Sequence, residues 1–210
     1  MRLAAISRSP VEFDPEPPLL VLLHGLAADE NDLFGLATEL DRRLKVVSIR
    51  APYETGYGGY CWFGIEFLPD GSRIIDEEQA KSSLDILLED LTELGTEATG
   101  SKIFLGGFSQ GAMLAAATLL ARPRLVDGCW LMSGRYLPFL DRQPKSELAH
   151  HVLVQHGLYD EVVSAIEGRE LAEILKAHGH DVSYREYPMA HQICYESIQD
   201  ANAWLQELIA

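Results

Sequence analysis

The sequence predicts a three-layer α/β protein whose central sheet is mainly parallel and has about seven strands. Short apolar runs alternate along the chain with longer segments in which apolar residues repeat at helical spacing. Leu19–Leu23 is entirely apolar, as is typical of a strand buried on both faces. With 210 residues, 47% of them hydrophobic, the chain fits a single domain over residues 1–210 with a sizeable core.

The predicted elements follow one another in the order that such a sheet requires. Strands are predicted at residues 3–7, 19–23, 45–49, 103–105, 128–132, 152–155 and 182–187. Helices are predicted at residues 31–43, 77–94, 111–120, 165–177 and 193–209. The last strand alternates in polarity and ends at Pro188, so it is expected near the sheet edge. Residues 53–73 are rich in glycine and aromatic residues without a clear period, which predicts an active-site loop.

Composition and charge limit the partners that the chain is expected to bind. The net charge of −15 argues against nucleic acid or an anionic membrane as a steady partner, and weakly against anionic substrates. We find no signal-peptide pattern and no apolar run long enough to span a bilayer. Cys61, Cys129 and Cys194 suggest neither a disulfide framework nor a zinc site, so a cytoplasmic location is expected. The sequence leaves the oligomeric state open, a homodimer included.

The most informative motif is Gly-x-Ser-x-Gly at residues 107–111, between a predicted strand and a predicted helix. A strand-to-helix turn this tight forces its central residue into strained backbone geometry, and the glycines let neighbouring chain pass close by. Such a nucleophile elbow presents the Ser109 hydroxyl at the positive end of a helix. Because a serine hydroxyl is a poor nucleophile, it needs a nearby base and a carboxylate that orients that base.

The acid and the base are expected downstream, because the chain order in α/β-hydrolase folds is nucleophile, acid, histidine. Asp160 lies just beyond the strand at 152–155, at the edge where open α/β sheets bind ligands. Glu161 is the alternative acid, and Asp160 taken alone also fits a turn that caps the next helix. His191, after the last strand, is the predicted base, whereas choosing His156 would leave no histidine after the acid. The other candidates lie at the wrong strand ends or in a polar turn: His150, His151, His178 and His180.

An oxyanion hole requires two backbone N–H groups that face the developing negative charge. One is expected from Gln110, which follows the nucleophile. The other is assigned by position to Leu26, in the loop after an early strand, and His24 is expected to brace that loop. The sequence contains no HExxH motif, paired His/Asp cluster or Walker loop, so neither a metal nor another cofactor is expected.

Taken together, these motifs resemble the phospholipase/carboxylesterase family of α/β-hydrolases, which includes acyl-protein thioesterases and small bacterial carboxylesterases. The resemblance covers nearly the whole chain. The residues that carry it are His24-Gly25-Leu26, Asp29, Asn31-Asp32, Arg50-Ala51-Pro52, Trp62-Phe63, residues 107–111, Ser133-Gly134, Leu137-Pro138, His156-Gly157, Asp160, Val162-Val163, Tyr187-Pro188 and His191.

The resemblance implies an α/β-hydrolase fold with a triad of Ser109, Asp160 and His191, and with the amides of Leu26 and Gln110 as the oxyanion hole. It also implies that Trp62 and its loop border the acyl or alcohol pocket. The chain departs from the family pattern at Ala27, Glu30, Glu161 and Ala190, and by an extra residue in the loop at 133–138. These departures affect loops that shape the pocket and leave every catalytic group in place.

The expected function is that of a serine hydrolase that cleaves a small-molecule or lipid-like carboxylic ester through an acyl-enzyme. The short connection between the strands near Pro52 and Lys102 leaves little room for a large lid, which favours short or medium acyl chains. A thioesterase or lysophospholipase with the same triad is the alternative within hydrolases. A catalytically silent binding module is the alternative from another class, since fold does not fix function.

Overall fold

The computed structural model describes residues 1–69, 72–98, 100–140 and 148–210. The strands in these segments are β1 (Ala5–Arg8), β2 (Leu19–Leu23), β3 (Lys45–Ile49), β4 (Tyr53–Glu54), β5 (Tyr60–Cys61), β6 (Ile65–Phe67), β7 (Arg73–Ile75), β8 (Ile103–Phe108), β9 (Gly128–Met132), β10 (His151–Gly157) and β11 (Asp181–Tyr187). The α-helices are α1 (Glu77–Glu97), α2 (Gln110–Ala121), α3 (Ala165–Ala177) and α4 (Tyr195–Ile209).

The central sheet confirms the predicted fold class. Within the described residues it has seven strands in the order β1-β3-β2-β8-β9-β10-β11. β1 pairs antiparallel with β3, and the other neighbours pair in parallel. β11 lies at one edge, as the alternating pattern at 182–187 predicts.

Helices cover both faces of this sheet and bury its apolar side chains. On one face, α1, α2 and α3 pack against alternate residues of the central strands, such as Val21 and Leu105. On the other face, α4 packs its Trp204 and Leu205 against the intervening residues, such as Phe104. Because both faces are covered, a central parallel strand such as β2 reads as a continuous apolar run in the sequence.

The helix predicted at residues 31–43 is wrong in type and length. The structure has a 3-10 helix at Phe34–Thr38 instead, held by hydrogen bonds between residues three apart. Gly35 lies inside this segment, and glycine weakens a longer helix. The apolar spacing still identified residues that face the core, since Leu33, Ala37 and Leu40 are buried.

The predicted irregular loop at residues 53–73 contains regular structure in its described part. β4 pairs with β5, and β6 pairs with β7, as two small antiparallel sheets. These strands have two or three residues each, too few to show a period in the sequence. The hairpin formed by β6 and β7 becomes one wall of the cavity described below.

The parallel arrangement brings several loops to the carboxyl edge of the sheet. Gly107 of β8 lies beside Leu23 of β2, and Gly157 of β10 lies beside Tyr187 of β11. The loops that follow these four strands therefore converge, as at the ligand-binding edge of open α/β sheets. In the part of the chain that the structure describes, no helix combines the length and apolarity needed to cross a bilayer.

Candidate active site

Ser109 occupies a strained turn between β8 and α2. Its backbone has φ 54° and ψ −115°, a positive φ that a residue with a side chain rarely adopts. The strain is held by the surrounding chain, since the Ser109 amide donates to the Met132 carbonyl of β9 at 2.9 Å. The serine is 8% exposed and directly precedes the N-terminus of α2, whose dipole favours negative charge there.

The two glycines of the motif allow this turn to exist. A Cβ at Gly107 would overlap the backbone of Gly111, and a Cβ at Gly111 would overlap the Leu23 carbonyl of β2. Both positions are closed to any larger residue without movement of the backbone. The elbow is therefore wedged against the adjacent strand, which fixes where the Ser109 hydroxyl points.

A chain of hydrogen bonds joins Ser109, His191 and Asp160. His191 Nδ1 lies 2.7 Å from Asp160 Oδ2, and His191 Nε2 lies 3.0 Å from Ser109 Oγ. An ionised carboxylate only accepts hydrogen bonds, so Nδ1 carries the proton and Nε2 accepts from the serine hydroxyl. In this arrangement the imidazole can take the hydroxyl proton as the oxygen attacks an electrophile.

Asp160 is held in place by backbone groups as well as by His191. Its Oδ1 accepts from the amides of Val162 at 2.9 Å and Val163 at 2.8 Å. Its side chain is fully buried, and such hydrogen bonds are what make a buried carboxylate tolerable. Asp160 thus has both roles considered from the sequence: Oδ1 stabilises the turn, and Oδ2 contacts His191.

His156, the rival base, lies near the same Asp160 oxygen as His191. It is fully buried, its Nε2 donates to the Val163 carbonyl at 2.8 Å, and the same nitrogen is 3.4 Å from Asp160 Oδ2. Gly168 of α3 packs so closely against its ring that an added Cβ would overlap Nδ1. His156 therefore supports the acid-bearing loop and has no access to a substrate.

The loop after β2 runs directly beside the serine. A Cβ placed on Gly25 would lie 3.4 Å from Ser109 Cβ. Among the described residues, neither the Leu26 amide nor the Gln110 amide donates to another protein atom. Both residues line the cavity beside Ser109, and an oxyanion hole requires two N–H groups that are not already bonded within the protein.

His24 braces this loop, in line with its expected role. Its Nδ1 donates to the Gly25 carbonyl at 2.7 Å, and its Nε2 accepts from the Ala51 amide at 3.0 Å. Burial lowers the pKa of His24, which keeps the ring neutral and its Nε2 free to accept.

Trp62 does not border the pocket, and the implication of the resemblance is corrected for this residue. Its side chain is fully buried, and its indole N–H donates to the His24 carbonyl at 2.9 Å. Its amide donates to the Gln110 side chain at 3.0 Å, and that side chain donates in turn to Phe63. Trp62 therefore links the loop after β2, through the His24 carbonyl, to the start of α2, through the Gln110 side chain.

A cavity of about 340 Å³ opens beside Ser109 and His191. Its walls are mostly apolar, and they come from the β6–β7 hairpin, α2 and the loop after β10. The side chains that form them are Ile65, Phe67, Phe108, Met113, Val162 and Val163. Phe108 also packs against the His191 ring, with the ring centroids 4.8 Å apart. An ester with an apolar portion of modest size fits this lining.

Residues 10–209 match the sequence model of the phospholipase/carboxylesterase family. The chain belongs to this family. A probable carboxylesterase of Oryza sativa subsp. japonica is 30% identical over 164 residues, which are 73% of this chain and 69% of the relative. Acyl-protein thioesterase 1 of Mycosarcoma maydis is 29% identical over 221 residues, 90% of each chain.

Structural similarity agrees with the family assignment. The crystal structure of esterase PE8 matches this chain with a TM-score of 0.87 and 26% identity, over 100% of both chains. The resemblance inferred from the motifs is confirmed, and the chain is a hydrolase that acts on ester bonds.

Two charged residues of the cavity were missed by the sequence reasoning. Arg73 lies on β7 and Arg135 in the loop after β9, and both line the cavity. Arg73 falls in the stretch without a clear period. Arg135 lies in the loop at 133–138, which has one residue more than the family pattern. That extra residue was the sequence feature that could have pointed to Arg135.

Proposed function

We propose that this chain is a serine carboxylesterase that hydrolyses carboxylic esters with short or medium acyl chains. The observation that carries the proposal is the hydrogen-bonded chain from Ser109 through His191 to buried Asp160, set on a strained elbow. The moderate volume of the adjoining cavity supports acyl groups of limited length.

The proposed reaction has two halves that use the same groups. Ser109 Oγ attacks the ester carbonyl carbon while His191 Nε2 takes its proton, and Asp160 stabilises the imidazolium. The amides of Leu26 and Gln110 bind the oxyanion. The imidazolium then protonates the departing alcohol, which leaves an acyl-enzyme on Ser109. Water, deprotonated by His191, then attacks the acyl carbon; as the bond to Ser109 Oγ breaks, the imidazolium returns the proton to the serine and the acid leaves.

The test is whether Ser109 is the nucleophile. Ser109→Ala removes one small hydroxyl, and we expect kcat for ester hydrolysis to fall on the order of 10⁴-fold or more. A labelled fluorophosphonate should modify the natural protein and leave Ser109→Ala unlabelled. Ser183→Ala, a serine of β11 outside the cavity lining, is the matched control and should keep both activity and labelling.

Two results would contradict the proposal. One is near-normal turnover in Ser109→Ala with an unchanged thermal transition. The other is a natural protein that neither reacts with fluorophosphonate nor hydrolyses any ester, which would favour the silent binding module.

A thioesterase with the same triad is the second candidate, favoured by the similarity to an acyl-protein thioesterase over 90% of both chains. A chain-length series of nitrophenyl esters, compared with a thioester and a lysophospholipid, separates the candidates. The highest kcat/KM on short or medium oxygen esters supports the carboxylesterase, and a preference for the thioester supports the alternative.

We also propose a cytoplasmic location, supported by three free cysteines, Cys61, Cys129 and Cys194.

A further inference from the structure

The cavity beside Ser109 has a cationic side, although the chain as a whole carries a net charge of −15. Arg73 and Arg135 both line this cavity, and neither has a part in the proposed acyl transfer. Net charge describes the whole surface, whereas a substrate meets the local potential of the cavity.

Arg73 is already paired within the protein. Its Nη2 lies 2.9 and 3.0 Å from the two carboxylate oxygens of Glu167, and its Nη1 donates to the Val162 carbonyl. Glu167 also accepts from the Ser164 amide at the start of α3 at 2.9 Å. Burial acts to raise the pKa of Glu167, but the Ser164 amide and Arg73 outweigh it and the pKa is lowered. This carboxylate is thus committed to Arg73 and to the helix cap.

Arg135 is a partly buried cation that shares its acidic partner, Glu167, with Arg73. Its side chain is 19% exposed, and its ion pair among the described residues is with Glu167 at 3.6 Å, longer than a hydrogen bond. Burial, followed by repulsion from Arg73, lowers the pKa of Arg135. A guanidinium stays protonated under such conditions, so the positive charge remains and is poorly compensated.

Asp32 also lines the cavity but forms no ion pair with Arg73 or Arg135 among the described residues. The two arginines share Glu167 instead.

We propose that Arg135, with Arg73 beside it, forms an anion subsite of the cavity and that the preferred substrates are esters that carry a second, free carboxylate. This inference rests on the proposed esterase function. A guanidinium matches a carboxylate with two parallel N–H···O bonds, which are stronger than neutral hydrogen bonds. A substrate carboxylate would give Arg135 a close partner in addition to the shared Glu167 at 3.6 Å, while the Arg73–Glu167 pair needs no such addition.

The experiment compares substrates that differ only in this charge. One pair places it on the acyl side: the monomethyl ester of adipic acid, with the second carboxyl either free or as its primary amide. The other pair places it on the alcohol side: the hexanoyl ester of glycolic acid and of its amide. The measured quantity is the ratio of kcat/KM for acid to amide, which cancels general damage to the catalytic groups.

In the natural protein we expect this ratio to be roughly tenfold or more in at least one pair, as befits a charge-assisted hydrogen bond. In Arg135→Gln the acid-to-amide ratio should fall towards one. Arg135→Lys keeps the charge but loses the paired N–H donors of the guanidinium, so its ratio should lie between that of Arg135→Gln and that of the natural protein. Arg42→Gln removes the same charge at an exposed position and should keep the natural ratio. If Arg135→Gln does not fold, Arg135→Lys carries the test.

The inference is overturned if the ratio is about one or lower in both pairs, or if Arg135→Gln leaves it unchanged. It is also overturned if Arg42→Gln lowers the ratio as much, because the effect would then reflect net charge. In each case hydrolysis of the amides would leave the proposed function standing. A folded natural protein that hydrolysed none of the four substrates, nor the nitrophenyl esters, would overturn the proposed function instead.

Discussion

Both ends of the central sheet carry histidines, and the surroundings of these histidines differ. His24, His156 and His191 lie at the carboxyl ends of strands, where each ring bonds a backbone group or a side chain of an adjacent loop. Four others lie where β10 and β11 begin: His150, His151, His178 and His180. There the buried His180 ring has no hydrogen-bond partner among the described residues and packs against His150 at 5.6 Å.

The difference teaches that position on the sheet, rather than residue type, decides what a histidine does. Loops at the carboxyl edge bring groups from separate strands together, so the His191 ring there meets both a carboxylate and a hydroxyl. At the amino edge the rings meet one another and the ends of helices and strands. Three tests can break or sharpen this contrast.

The largest effect is expected at His191. His191→Ala removes the group that takes the serine proton, and kcat/KM should fall on the order of 10⁴-fold or more with little change in thermal stability. His180→Leu, at the other edge, should leave turnover unchanged. His156→Ala should cost far less turnover than His191→Ala. A greater loss of turnover in folded His156→Ala than in His191→Ala would mean that His156, and not His191, is the base.

The next effect is expected at the acid. Asp160→Asn should lower kcat roughly 10⁴-fold, by analogy with other triads. The amide can still accept from the Val162 and Val163 N–H groups, but its NH₂ no longer accepts from His191 Nδ1–H, and the imidazolium loses its counter-charge. Glu161→Gln, one residue along, should cost much less. Kinetics of the two variants at matched stability decide between them, and a larger loss in Glu161→Gln would move the acid to that residue.

The smallest effect concerns stability at the amino edge. Burial, followed by repulsion from His150 and His178, lowers the pKa of His180 from 6.5 to about 4. Between these values the unfolded chain holds a proton that the folded chain does not, so stability is lost as the pH falls from 6.5 towards 4. His180→Leu should therefore make Tm fall less between about pH 7 and about pH 5. A slope in His180→Leu equal to that of the natural protein would contradict the expected shift.

The sequence predicted the fold where a single physical signal dominates. A doubly buried strand must be apolar throughout, so Leu19–Leu23 and Gly128–Met132 were found with their observed bounds. Residues 31–43 show the limit, because apolar spacing identifies the buried face but does not distinguish a 3-10 segment from an α-helix. The strands of residues 53–73 are too short to carry a period.

For the candidate site, chain order and strand ends predicted that Ser109, Asp160 and His191 would meet, and the structure brings their side chains into hydrogen-bond contact. Trp62 shows what such reasoning misses, since motif membership did not reveal that the indole points into the protein. Arg135 was missed for a related reason. Its ability to bind a ligand depends on how far Glu167 is already engaged, which is a property of three-dimensional contacts.

The separation of β6 and β7 from the central sheet has a consequence for evolvability. Their hairpin pairs only within itself among the described residues, yet it supplies Ile65, Phe67 and Arg73 to the cavity. The proposed nucleophile, in contrast, is wedged between β2 and β9. Amino-acid substitutions in this short peripheral hairpin can therefore change the substrate range without altering the turn that holds Ser109. Directed libraries aimed at new esters should start with this hairpin.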